Sequence, residues 1–341
     1  MKRESFLDIA KGIAAIFVIM GHCNYTNSML NVWIYSFHMP LFFVISGILI
    51  IPNKYLSLKE ITRKKIKALI IPYLILSIIS YILLNILETL KTGRLDLSIL
   101  LKRFLGIIIE WVGTDYYCGM WFILTLFFSS IISYLIVSLI ENLHIKEYKK
   151  NIFLIISFIV IYILGFIIIK YVKGFLWCLN FVPFSIAYVI LGYILKRINK
   201  SKKIFSNKIL IIPMMIMNIM FCYLNYKIAG KSDIYFSNLG NIFYYLVASI
   251  TGTILVILIS KIIKKNNILE TFGKHSFIYY ALQGCLALPI SKFAVEIFFN
   301  KFKIPKIEIL MWILIIGLSI CILEVSCRIL EKLLPKIFKK T

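Results

Sequence analysis

The chain is poor in acidic residues and in charge overall. Fifteen Asp and Glu stand against 39 Lys and Arg in 341 residues, and all four charged types together make up only 16% of the sequence. A soluble domain carries about 25% charge, so this scarcity argues against a water-covered surface. Cys23, Cys118, Cys178, Cys222, Cys285, Cys321 and Cys327 form no C-x-x-C pair and no zinc spacing. Packing is their expected role, and no metal site is expected. Internal repeats, low-complexity tracts and Pro- or Gly-rich linkers are also missing, which points to a single domain over residues 1–341. No nucleic-acid motif accompanies the net charge of +24. The expected partner of the basic excess is the bilayer, whose anionic headgroups attract it, and not nucleic acid.

What is present is apolar. Hydrophobic residues make up 61% of the chain, and the mean hydropathy is +0.91. They come in blocks of roughly 20 residues, the length that spans a bilayer as helix. Ten are read: Leu7–Cys23, Val32–Ile51, Ala68–Leu87, Met120–Ile140, Ile152–Val172, Leu176–Leu195, Ile209–Ala229, Leu239–Ser260, Ser276–Phe293 and Glu308–Ile329. The fold class is therefore an all-α integral membrane protein, one bundle of about ten transmembrane helices. The first block has no Ala-x-Ala-like site after it and is interrupted by Lys11, so it is expected to remain as a helix.

Orientation follows from the loops. With the N-terminus inside, 26 of the 39 Lys and Arg fall in inside segments and 12 in outside ones, Lys11 lying within the first block. The positive-inside rule then gives an N-in, C-in topology. The long loop 88–118 falls outside. It contains the apolar run Phe104–Val112, too short to span, which lies at the interface or re-enters the bundle. Glu110 within it, and Asp115, Tyr116 and Tyr117 after it, give that loop a polar, aromatic character suited to a carbohydrate, or to an ordinary interfacial belt.

Polar groups inside spans are costly in lipid and are functional candidates for that reason. The first block carries Asp8, Lys11 and His22. Lys11 and His22 are eleven residues apart, which at 100° per residue leaves about 20° of rotation and roughly 16 Å of rise. One face thus carries a cation near one end and an imidazole near the other, with Asp8 one turn away to pair with Lys11. A lone histidine is more often a packing residue, but the aligned lysine argues otherwise. Cys23 is adjacent to His22 yet points about 100° away, so no Cys–His pair is expected. His38 opens the second block at a similar depth. Pro40 follows in an early helical turn, where proline is tolerated, and Ser46 and Gly47 are small enough for close helix approach. Arg63, Lys64, Lys65 and Lys67 cluster before the third block, as topological charges or as a phosphate site.

These segments resemble the acyltransferase-3 family of membrane O-acyltransferases, and within it the fucose 4-O-acetylase-like branch. Lys11 and His22 match the first-helix signature of a basic residue, ten residues and a histidine, and Phe37–Gly47 matches the branch's FHMPLFF-x-x-SG segment. The basic run ending at Pro72-Tyr73, GMWFILTLF at 119–127, FVPFSIAYVILGYIL at 181–195 and FGKHSFIYYALQ at 272–283 resemble further family segments. Lys11 replaces the commoner arginine. Gln283 stands where many members have histidine, so no proton transfer is expected there. No SGNH-type domain follows the bundle, which leaves open whether a separate glycan-synthesis protein completes the transfer.

The resemblance implies transfer of an acyl group, usually acetyl from cytoplasmic acetyl-CoA, to a hydroxyl of a cell-surface carbohydrate or its lipid-linked precursor, in the bacterial cytoplasmic membrane. Acyl-CoA is then a substrate and not a resident cofactor. His22 and Lys11 would be catalytic, Lys11 with Arg63, Lys64 and Lys67 would hold donor phosphates, and His38 and Trp121 would meet the acceptor. Trp121 is equally suited to anchoring a helix at the interface. The competing reading is a glycolipid or polysaccharide flippase or a proton-coupled transporter, which also places titratable groups inside spans. It lacks support from repeated halves or paired broken helices.

Overall fold

The computed structural model describes residues 4–23, 28–55, 57–94, 96–111, 114, 119–303, 305 and 307–338. Asp115, Tyr116, Tyr117 and Cys118 lie outside the described residues. The elements are α1 (Ser5–His22), α2 (Ser28–Tyr35), α3 (His38–Ile48), α4 (Leu58–Thr92), α5 (Leu97–Ile109), α6 (Trp121–Glu141), α7 (Glu147–Tyr171), α8 (Val182–Lys202), α9 (Ile211–Ala229), α10 (Ile242–Ile263), α11 (Asn267–Lys301), α12 (Glu308–Leu333) and the final turn α13 (Pro335–Phe338). Among the described residues ten stretches are long and apolar enough to cross a membrane, α2 and α3 together forming one of them. No named strand occurs among the described residues, only an isolated bridge between Asp233 and Asn238.

The expected second block is one span but two helices. Pro40 has no N–H to give the Ser36 carbonyl, and its ring would clash with that carbonyl in a continuous helix. The chain therefore turns at Ser36-Phe37 and restarts at His38, leaving Pro40 in the first turn of α3. The Ser36 hydroxyl donates to the Trp33 carbonyl (2.7 Å), and the Leu41 N–H donates to the Phe37 carbonyl (2.9 Å).

α4 and α11 are longer than the blocks read from hydropathy, and each contains one π-helical turn, at Ile66–Ile70 and Gln283–Ala287. Each turn ends two residues before a proline, Pro72 and Pro289. A wider turn gives room for the carbonyl that the proline ring would otherwise strike.

Small residues set the central crossings. Gly12 of α1 meets the Leu269 carbonyl of α11, and Gly273 of α11 meets the backbone of Asp8. Gly47 of α3 and Gly192 of α8 oppose each other in the same way, against the carbonyls of Val189 and Val44. A Cβ at any of the four would overlap a backbone atom, so these helices pack through their backbones, as helices in lipid commonly do. α1 and α8 are largely buried, whereas α9 and α12 expose most of their apolar length. The core thus sits around α1, α3, α8 and α11, with outer helices shielding it.

Two further features fix the ends. Arg197 of α8 pairs with Glu141 and Glu147, and Lys150 lies 3.3 Å from Glu147, so α6, α7 and α8 are tied at the end where α1 begins. At the other end, α5 folds back on α4 as a hairpin about Gly93, with Arg103 paired to Glu88. The apolar run from Phe104 is thus the last part of α5, with Phe104, Leu105 and Ile108 exposed. Glu110 is fully buried, and its carboxylate accepts the Met120 N–H at 2.8 Å.

Candidate functional site

Two chambers lie end to end in the bundle, and α1 runs along both. The first, about 770 Å³, opens at the end where α1 begins. Lys11, Lys54, Lys65, Lys196 and Lys274 line it, with Glu4 and Asp8 as its carboxylates. Lys11 Nζ is 3.4 Å from Asp8 Oδ1, the pairing expected from their spacing. Five ammonium groups against two carboxylates leave an excess of positive charge suited to a polyanion.

The second chamber, about 490 Å³, lies at the far end of α1. His22 and His38 line it together with Tyr35, Trp121, Lys231 and Asp233. The turn before α3 shapes this arrangement. His38 Nδ1 is 2.9 Å from the Ile34 carbonyl, which also accepts the Phe37 N–H (3.3 Å) where the helix breaks. A carbonyl only accepts, so Nδ1 carries the proton and the lone pair is on Nε2. Tyr35 sits between the two imidazoles, its ring 6.4 Å from His22 and 4.9 Å from His38. It reaches this position by resting on α1 at Gly21, where a Cβ would strike its ring. The Lys231 ammonium lies 4.0 Å from the Tyr35 ring centroid, a cation–π contact, and 3.9 Å from Asp233.

Lys231 and Asp233 belong to the loop between α9 and α10. Asn225 amide donors bond Ser232 (2.8 Å) and the Leu239 carbonyl (2.9 Å), and Asp233 and Asn238 exchange backbone hydrogen bonds. Burial pushes the Asp233 carboxyl above its ordinary value, against the opposing pull of Lys231.

The sequence-expected residues divide accordingly. Lys11 faces the first chamber, and His22, His38 and Trp121 face the second. Trp121 is buried, edge-on to Phe181 at 5.1 Å, so its ring packs within the bundle. In the basic cluster, Lys65 lines the first chamber, whereas Arg63, Lys64 and Lys67 are exposed and outside its lining. Lys64 is held by Glu60 at 2.8 Å. Cys23 is buried while His22 opens to the chamber, in line with their divergent directions. Of the other described cysteines, Cys178, Cys222, Cys285 and Cys327 are buried and Cys321 is exposed.

Several chamber residues escaped the sequence reading. Tyr35 carried a signal, since it lies three residues before His38 and shares its side of the chain. Gln283 also lines the second chamber. It is buried, and its Oε1 has no hydrogen-bond partner among the described residues. Lys54, Lys196, Lys274 and the pair Lys231 and Asp233 come from four separate segments and gave no local signal.

No curated protein and no solved structure matches the chain. A family model described as an acyltransferase domain matches residues 4–325, from the start of α1 into α12 and so across both chambers. By that match, over nearly its whole length, the chain belongs to the acyltransferase-3 family.

Proposed function

We propose that the protein is a membrane O-acyltransferase of the fucose 4-O-acetylase-like branch, moving an acetyl group from cytosolic acetyl-CoA to a hydroxyl of a cell-surface carbohydrate or its lipid-linked precursor. The observation that carries this reading is the pair of chambers of opposite chemistry joined along α1. In this reading both termini are cytosolic, the membrane is the bacterial cytoplasmic membrane, and the cationic chamber takes the donor. Lys11, Lys54, Lys65, Lys196 and Lys274 meet its phosphates by charge-assisted contacts. Arg63, Lys64 and Lys67 add longer-range attraction from the exposed face of α4.

The pantetheine arm then extends toward the imidazoles. His22 takes the proton of the acceptor hydroxyl as its oxygen attacks the thioester carbonyl carbon. The C–S bond breaks, and the departing CoA thiolate receives that proton back from the imidazolium. Imidazole suits both halves of this exchange, because it accepts a proton when neutral and gives the same proton back as imidazolium. His38, fixed by the Ile34 carbonyl, orients the acceptor through Nε2. Trp121 offers an aromatic face to a sugar, and Gln283 Oε1 accepts a hydrogen bond from a second hydroxyl.

The experiment is transfer from radiolabelled acetyl-CoA to a mixed pool of cell-surface glycans by purified protein in lipid vesicles. Label on glycan is the expected outcome. Glycolipid movement across the vesicle without consumption of acyl-CoA would replace this reading with a flippase.

A further inference from the structure

We propose that Met39 and Tyr280 form a septum between the chambers that sets the length of the acyl group able to reach His22. The proposal rests on the acyltransferase reading for its substrate, though not for its geometry. Four segments pass from the first chamber to the second at one level. α1 passes between Lys11 and Val18, and α3 passes between Phe42 and His38. The start of α6 passes between Phe122 and Trp121, and α11 passes between Phe277 and Ala281. Met39 and Tyr280 lie at that level and line both chambers.

The two sides of the septum differ in stiffness. The Tyr280 hydroxyl lies 3.3 Å from the Gly119 carbonyl, to which it donates, and 3.4 Å from the Phe122 N–H, which it accepts. Phe122 packs its ring on Tyr280 (5.5 Å), Phe42 (5.5 Å) and Phe43 (5.1 Å). Tyr280 is thereby held by backbone on one side and by a collar of rings on the other. Met39 is unbranched and pliable, and it directly follows His38 in α3. The opening for a thioester therefore lies along Met39, against a fixed Tyr280. A two-carbon acyl group needs little room there. Longer chains either stop at the septum or fill the space that the acceptor needs in the smaller second chamber.

The test is a donor series of acetyl-, propionyl-, butyryl- and hexanoyl-CoA, with kcat/KM measured for the full-length protein and for Tyr280→Ala, Met39→Ala and Tyr280→Phe in lipid vesicles. For the unaltered protein, kcat/KM is expected to fall about tenfold or more for each added methylene. Met39→Ala and Tyr280→Ala should each raise the butyryl-to-acetyl ratio by about tenfold. Tyr280→Phe, which keeps the ring and its packing on Phe122 but loses both hydroxyl hydrogen bonds, should raise that ratio less than Tyr280→Ala does. Acetyl transfer with unchanged ratios in both alanine variants would overturn the proposal and leave the acyltransferase reading intact.

A second readout needs no catalysis. A cysteine placed at Ser46, in the first chamber, is exposed to a charged, membrane-impermeant thiol reagent added on the side of the His22 chamber. Labelling at residue 46, read by mass spectrometry, should be absent with Met39 and Tyr280 in place and should emerge in Tyr280→Ala. Equal labelling with and without Tyr280 would overturn the septum. If the unaltered protein transfers no acyl group, the acyltransferase reading falls, and this labelling alone decides the septum.

Discussion

The two chambers share helices and the side chains of Met39 and Tyr280, yet their chemistry differs. The first collects five lysines from five separate segments (α1, the α3–α4 connection, α4, α8 and α11) around a space of about 770 Å³. The second sets two imidazoles, several aromatic rings and one Lys–Asp pair around about 490 Å³. In the proposed reaction charge is redundant in the first chamber, because several cations would meet one polyanion and each would contribute a part. Geometry is singular in the second, because one hydroxyl proton would have to reach one nitrogen. Loss of one side chain should therefore be graded in the first chamber and severe in the second.

The largest effect is expected at His22. His22→Ala should lower kcat by about 10² to 10⁴-fold, the range of a general base, with acetyl-CoA binding unchanged by calorimetry. A loss of donor affinity as large as the loss of kcat would erase the distinction between the chambers. Lys11→Ala should act on the donor, raising its KM by about 10- to 100-fold, as for loss of a charge-assisted contact, while acceptor KM stays nearly constant. Lys11→Arg should restore most of that affinity.

Within the basic cluster the contrast is sharper still. Lys65→Ala should raise donor KM several-fold, whereas Arg63→Ala, Lys64→Ala and Lys67→Ala should each change it by less than about twofold at physiological salt, because exposed charges are screened. The reverse order would show that the donor's phosphates lie on the exposed face of α4.

The smallest effect concerns Asp233. Burial raises its pKa, so it takes up a proton at higher pH than an ordinary aspartate. As pH falls through that value, the negative charge beside Lys231 disappears. The unopposed ammonium near Tyr35, His22 and His38 then disfavours an imidazolium. An acid limb in kcat/KM should follow, at higher pH than an ordinary aspartate would give. In Asp233→Asn that limb should be absent and the neutral-pH value already lower, by less than about fivefold. An identical acid limb in both proteins would remove Asp233 from the account.

The axis of the site was legible in the sequence because helical periodicity is local. Lys11 and His22 needed only the 100° step, and Asp8 with Lys11 needed only one turn. Choosing Lys65 from four neighbouring cations needed tertiary information, although a hint was present. Lys65 lies four residues after Ile61, which is fully buried, so the two share the inward face. The π turn that follows shifts the register of Lys67. The break between α2 and α3 was hidden because hydropathy is blind to a missing N–H, even though Pro40 was in view. The loop carrying Lys231 and Asp233 is held by amides of Asn225 and Asn238, which reach Ser232 and the Ala229 carbonyl, local hydrogen bonds that neither helical nor strand periodicity reveals.

The most direct test of the account is transfer across a sealed bilayer. Vesicles containing protein of one orientation receive radiolabelled acetyl-CoA only on the side of the termini and glycan acceptor only on the opposite side. Label on the glycan is expected, and it should be lost in His22→Ala. Transfer only when donor and acceptor share a side, or undiminished transfer in His22→Ala, would contradict the proposed reaction.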